Sequence, residues 1–214
     1  ELLYESGVVA TAVGFHREAV SSLAAALERF YEFAIEVFTL RLGIDQQTHD
    51  AAWKQLKKQS ERQVGAFLFL FLVNFKRPFL VGRALGEYEE WVKFRNEVIH
   101  QGRFPSPKET LEYARYVFEL IRDTRAALKD LDAESVQKTE LRHFRRGHEA
   151  VEAKAGPPTP GPDGLYRSAS SASMPMMLNT LVANAPTDFE SRLAESKENL
   201  WLWGFPAQPE SRTR

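Results

Sequence analysis

His16-Arg17-Glu18-Ala19-Val20-Ser21-Ser22-Leu23-Ala24-Ala25-Ala26-Leu27 opens the stretch that decides the fold. Continued to about Leu42, it sets Val20, Leu23, Ala24, Leu27, Phe30, Tyr31, Ala34, Val37 and Phe38 at steps of three and four. That is the spacing of one buried helical face. Glu18, Glu28, Arg29, Glu32 and Glu36 take the other faces, and Gly43 follows as a C-terminal stop. Val8 to Phe15 either extends this helix or precedes it as a separate turn, with Gly14 standing between the two readings.

Three further helices follow from the same periodicity. The second runs from about Thr48 to Phe75, lysine-rich in its first half and apolar in its second. Gly65 marks a break in it, and Arg77-Pro78 ends it because the residue before proline avoids the helical region. The third runs from about Gly82 to His100, with Leu85, Tyr88, Trp91, Val92, Val98 and Ile99 as its apolar stripe. The fourth starts on Ser106-Pro107-Lys108-Glu109, a capping box with proline at the first helical position. Leu111, Ala114, Val117, Phe118, Ile121 and Leu128 carry it to about Leu131, and no strand-like alternation of comparable length precedes that point. Short connections between such helices predict an all-α fold, an antiparallel bundle of four to five helices with a C-terminal extension.

After Leu131 the composition shifts. Glu134 to Ala153 reads as a charged helix with a basic knot at Arg142-His143-Phe144-Arg145-Arg146. The Pro/Gly run from Gly156 to Gly164 cannot be helical and reads as a linker. Met174-Pro175-Met176-Met177-Leu178 and Leu200-Trp201-Leu202-Trp203 are apolar clusters that need cover. The tail is therefore expected to pack as an arm on its own bundle or a neighbour's. The expected division is a helical domain over 1–153 with its core complete by about 131, a linker over 154–164, and a tail over 165–214.

Composition excludes several function classes. The chain has 214 residues and no cysteine, which removes disulfides, thiol catalysis and Cys-ligated zinc. Absent cysteine fits a reducing compartment, and a cytoplasmic location is expected. The chain opens on Glu1 rather than methionine, leaving room for an upstream segment, and its first residues lack the pattern of a signal peptide. With 28 basic and 29 acidic residues, the net charge of −1 offers no global attraction for nucleic acid. Any phosphate-binding surface must be local or assembled between subunits. Ala66 to Val73 is the one membrane-like run, far short of the roughly 20 apolar residues a span requires; a buried core or a subunit interface is expected instead.

Arg95-Asn96-Glu97-Val98-Ile99-His100 carries the chemistry. It places a guanidinium, a carboxamide and an imidazole within one and a half helical turns. These are the groups needed to cut RNA without a metal: a charge for phosphate, a polar orienter, and a base that titrates near neutrality. Asn96 and His100 share a helical face, whereas Arg95 and His100 are about 140° apart around the axis. A long arginine can bend across that angle, and the negative end of the helix dipole favours the imidazolium. One chain supplies one such motif, so a symmetric dimer is the economical source of a second acid. A histidine at a helix end also serves simply as a cap for free carbonyls, and the hexapeptide alone leaves that reading open. His143 and His148, with Glu149 and Glu152 near, lack a supporting metal-ligand motif. Ser21-Ser22 lacks a nucleophile elbow and no glycine-rich phosphate loop exists. No metal or cofactor is expected.

A helical bundle with Arg95-Asn96-x-x-x-His100 at the end of its third long helix resembles the HEPN superfamily. Tyr4-Glu5-Ser6-Gly7 and His16-Arg17-Glu18-Ala19-Val20, leading into an Ala-rich helix, strengthen the likeness, which covers about residues 1–131. The resemblance implies that Arg95, Asn96 and His100 are active-site residues of a metal-independent endoribonuclease. It further implies an RNA substrate, a homodimer with its cleft at the interface, and an antitoxin or defence partner, since many members are toxins or phage-defence effectors. Toxins of the family paired with a nucleotidyltransferase antitoxin often carry a tyrosine two residues after the histidine; here that position is Gly102, so regulation through such a tyrosine is not supported. The family also includes members that bind partners without cutting. That leaves a non-catalytic HEPN-like binding or dimerisation module, or a regulatory domain of a larger defence protein, as the alternative. Lys93, Arg103 and Lys108 flank the motif as RNA-binding candidates, with Lys76, Arg77 and Arg83 at one end of the bundle and the Arg142–Arg146 knot as a second contact. Phe104 either stacks on a base or anchors its turn.

Overall fold

Gly14 is where the chain first turns. Its φ of +87° lies in the left-handed region that only glycine adopts without cost. Phe15 N–H then closes onto the Ala10 carbonyl at 2.9 Å, sealing the end of a separate first helix rather than extending the second. The computed structural model describes residues 2–79, 85–155, 159–160, 166–167 and 188–200. Among these the chain is all-helical: α1 (Leu2–Val13), α2 (His16–Arg41), α3 (Gln46–Leu56), α4 (Ser60–Phe75), α5 (Leu85–His100), α6 (Pro107–Ala155) and α7 (Phe189–Glu198). The exception is a two-residue antiparallel pairing of β1 (Thr159–Pro160) with β2 (Tyr166–Arg167). No described helix is long and apolar enough to cross a membrane.

The expected second helix is two helices. Asp45 caps α3 by accepting from Thr48 N–H at 2.9 Å, and the chain leaves the helical region at Gln59 (φ −142°, ψ 126°). Gly65 does not break α4. Gln63, Phe67 and Phe71 are buried on one face that runs straight past it, and packing of that face outweighs the modest helix propensity lost at one glycine. The break falls instead in Lys57-Lys58-Gln59, which is exposed and has nothing apolar to bury. α4 stops at Phe75, with Lys76 in the left-handed conformation (φ 57°) before Pro78 is reached.

The fourth helix also departs from a simple rod. α6 is kinked at Asp132 (φ −164°, ψ 88°), where its apolar repeat runs out. Asp132 then caps the second arm, accepting from Ser135 N–H at 3.0 Å and Ser135 Oγ at 2.8 Å. Arg125 donates to Glu140 at 2.6 Å. Those residues would stand about 22 Å apart along a straight helix, so the two arms fold back on each other.

The chain divides into two units. The first comprises Glu1–Leu27, Leu85–Leu120 and Pro186–Arg214. Its core holds Val8, Val20, Leu23, Phe94, Val98, Val117 and Leu120. Trp91 packs against Tyr113 and Tyr116 at 5.6 and 5.8 Å between ring centres, joining α5 to α6. α7 packs beside α1: Phe189 is buried, Arg192 pairs with Glu5, and Arg115 pairs with Glu190 at 2.6 Å. The Met174–Leu178 and Trp201–Trp203 clusters lie outside the described residues.

The second unit comprises Glu28–Ala84 and Ile121–Ala185. Its core is aromatic: Tyr31, Phe38, Phe67 and Phe71 interlock, with Tyr31 and Phe67 centred 4.7 Å apart. Beside them lies a buried carboxylate. Glu36 is 1% exposed and is met by Arg142 at 3.4 Å, His143 at 3.0 Å and Arg146 at 3.2 Å. Burial pushes this carboxyl up, but the hydrogen bond from His143 and the charges of Arg146, His143 and His49 more than reverse that, holding it at about 2 against an ordinary 4.5. A carboxyl depressed by folding stabilises the fold fully above its unfolded value, and that contribution is lost as pH falls from 4.5 through 2. Glu36→Ala should cost roughly 2–3 kcal/mol, below the full range for an orphaned buried pair because the three cations keep access to water. Denaturant melts should show this deficit at neutral pH shrinking toward zero at the acid end of that window. An equal deficit at both ends would refute the ionic origin of the effect.

Candidate functional site

α5 positions the motif by burying its other faces. Phe94 and Val98 point into the first unit's core, which leaves Arg95, Asn96 and Glu97 half-buried and His100 exposed at the last helical position. Arg95 Nη1 donates to the Asn96 carboxamide oxygen at 2.6 Å. The guanidinium and the neighbouring carboxamide are thus held together on α5. Among the described residues, His100 has no hydrogen-bonding partner, so its imidazole is not spent on capping carbonyls. Asn96 also lines a shallow groove of about 380 Å³ along the solvent side of α5, with Tyr88, Val92 and Lys93; Arg95 and His100 do not line it.

The turn after His100 is fastened from both ends. Gly102 adopts φ +75°, which lets the chain reverse, and Arg103 N–H closes onto the Glu97 carbonyl at 3.1 Å. Arg103 then spans the turn: one guanidinium nitrogen donates to Glu97 on α5, the other to Glu109 on α6, and its carbon sits 5.2 Å from the Phe94 ring centre. The capping box is fully formed. Glu109 N–H donates to Ser106 Oγ at 3.2 Å, while Glu109 Oε2 accepts from Ser106 N–H at 2.8 Å and Ser106 Oγ at 2.7 Å. The Ser106 side chain, then its backbone N–H, and then Arg103 hold the Glu109 carboxyl below the usual range. Pro105 is buried, but Phe104 is 81% exposed and does not anchor the turn.

Each flanking cation expected to meet RNA lies near a carboxylate. Arg103 is the clasp just described. Lys93 lies 4.0 Å from Glu97 and Lys108 lies 3.9 Å from Glu112; both lysines are mostly exposed and held loosely. In the second unit, the knot at 142–146 turns Arg142, His143 and Arg146 onto Glu36, with Arg142 also donating to Gln46 at 2.6 Å. Arg145 is left exposed, and the three side chains on Glu36 keep part of their surface in water. Lys76 and Arg77 are exposed, and Arg83 lies outside the described residues. Among the described residues no group of acidic or histidine side chains is arranged to hold a metal ion.

One cation was not singled out from the sequence as a ligand contact. Arg17, near the start of α2, lies over Phe104 with its guanidinium carbon 5.9 Å from the ring centre, and among the described residues no carboxylate pairs with it. Nothing local in the sequence joins position 17 to position 104. Comparison with known proteins adds no relative: no family model, curated protein or solved structure matches this chain.

The need for glycine at the turn is testable by contrast. Gly102→Ala forces a Cβ into the left-handed region and should destabilise by about 1–2 kcal/mol. Gly65→Ala, mid-helix with open space around it, should instead stabilise by about 0.5–1 kcal/mol. Paired thermal melts of the two variants should move in opposite directions.

Proposed function

We propose that this chain is a HEPN-type, metal-independent endoribonuclease, an antiparallel bundle acting in the cytoplasm, with the homodimeric assembly that the family resemblance implies. The observation that carries this reading is an exposed His100 at the end of α5, without a side-chain partner among the described residues and five positions on from a guanidinium held by Asn96. In the proposed reaction the imidazole of His100 takes the proton of a ribose 2′-OH. The 2′ oxygen attacks the adjacent phosphorus, and the bond to the 5′ oxygen breaks. Arg95 stabilises the charge that builds on the phosphorane, and Asn96 holds the phosphate or the guanidinium in register. A second acid, the partner subunit's copy of the motif, returns a proton to the leaving 5′ oxygen. The products are a 2′,3′-cyclic phosphate and a 5′-OH. A toxin or phage-defence effector, held by an antitoxin or defence partner, is the role that fits.

A second reading has an observation in its favour. Lys93, Arg103 and Lys108 each face a carboxylate, so little positive charge is left around the motif for a polyanion. On that reading the chain is a non-catalytic HEPN-like binding or dimerisation module, or a regulatory domain of a larger defence protein. The test is cleavage of single-stranded RNA in EDTA by wild type, Arg95→Ala and His100→Ala, with oligomeric state measured in the same buffer. Wild type should yield cyclic-phosphate ends, and His100→Ala should lose about 10²–10⁴-fold in rate. Undiminished cleavage by His100→Ala overturns the nuclease assignment, and RNA left intact by wild type favours the module.

A further inference from the structure

Phe104 is the most exposed large apolar side chain among the described residues, at 81%. Single exposed apolar residues are common on protein surfaces, so exposure alone says little. Three features set this one apart. Its turn is rigid, held by the Gly102 reversal, the Arg103 clasp to Glu97 and Glu109, the reciprocal Ser106–Glu109 cap and the buried Pro105. A rigid turn keeps the ring in water when a small rotation of a loose one would bury it. Its exposed neighbours in sequence are mostly polar, Gln101, Arg103, Ser106 and Lys108 among them. And it carries Arg17 on one side, a guanidinium without a carboxylate among the described residues.

A lone aromatic face beside an unpaired guanidinium suits a nucleotide, whose base stacks and whose phosphate needs a cation. We propose that Phe104 and Arg17 form a nucleotide clamp beside His100, in which a base of single-stranded RNA stacks on the open face of the ring and Arg17 takes the neighbouring phosphate. This rests on the endoribonuclease reading and specifies how its substrate is gripped. Four residues of chain span at most about 14 Å, so a base on Phe104 and a phosphate at His100 belong to one short stretch of strand. The clamp also answers the charge problem at this site. Stacking requires no net positive surface, and Arg17 supplies one contact from outside the motif.

The experiment measures binding of a fluorescein-labelled single-stranded RNA decamer by anisotropy to full-length His100→Ala protein, in which cleavage is silenced. Phe104→Ala in that background should weaken binding by about 5–100-fold. Phe104→Trp should restore it, and Phe104→Leu, which keeps apolar bulk without a π face, should not. Arg17→Ala should weaken binding and lower the salt dependence by about one phosphate contact. Circular dichroism should be unchanged throughout, because the ring is exposed. Binding by Phe104→Ala or Phe104→Leu as tight as the parent overturns the clamp. If wild type also cuts RNA in that case, the clamp falls alone and the nuclease reading stands. If the parent binds no RNA and wild type cuts none, both fall. If binding depends on Phe104 but nothing is cut, the clamp stands without the chemistry.

Discussion

Arg103 holds the reversal between α5 and α6, and the character of the candidate site depends on it. A single exposed ion pair contributes little, because water competes for both charges and two long side chains must be ordered. This pair is different in its connections. One guanidinium reaches a carboxylate on each helix, and Glu109 is already fixed by Ser106. That partner is ordered independently of the arginine, so less entropy is lost when the pair forms. The result is a turn that presents His100 at a helix end and Phe104 in solvent while Pro105 is tucked away.

The same economy of charge runs through the second unit. Glu36 is almost fully buried and gathers Arg142, His143 and Arg146 from the second arm of α6. A buried carboxylate without such partners would be neutral or would not be tolerated. Part of the basic segment's charge is thereby paired within the fold.

Several elements were legible from local pattern alone. The end of α2 before Gly43, the capping box that begins α6 and the end of α5 before Gly102 all follow from residues within one or two turns of each other. Helix breaks were harder. Gly65 looked like a break because glycine is a poor helix former, yet the buried row of Gln63, Phe67 and Phe71 carries the helix past it. The real break at Gln59 has no proline or glycine to announce it. At Asp132 the sequence showed a change in composition, and the structure adds that the helix folds back there, which the distant Arg125–Glu140 pair requires.

By itself the sequence determined the helical content, the capped start of α6, and the grouping of Arg95, Asn96 and His100 on adjacent turns, because helix periodicity and caps act between residues three to five apart. The tertiary structure alone decided which charges are spent and which groups meet. It turned Arg103 into a clasp, spent most of the Arg142–Arg146 knot on Glu36 across 106 to 110 positions, and brought Arg17 over Phe104. Such pairings are set by how helices pack, and packing is a property of whole faces that no short window of sequence contains.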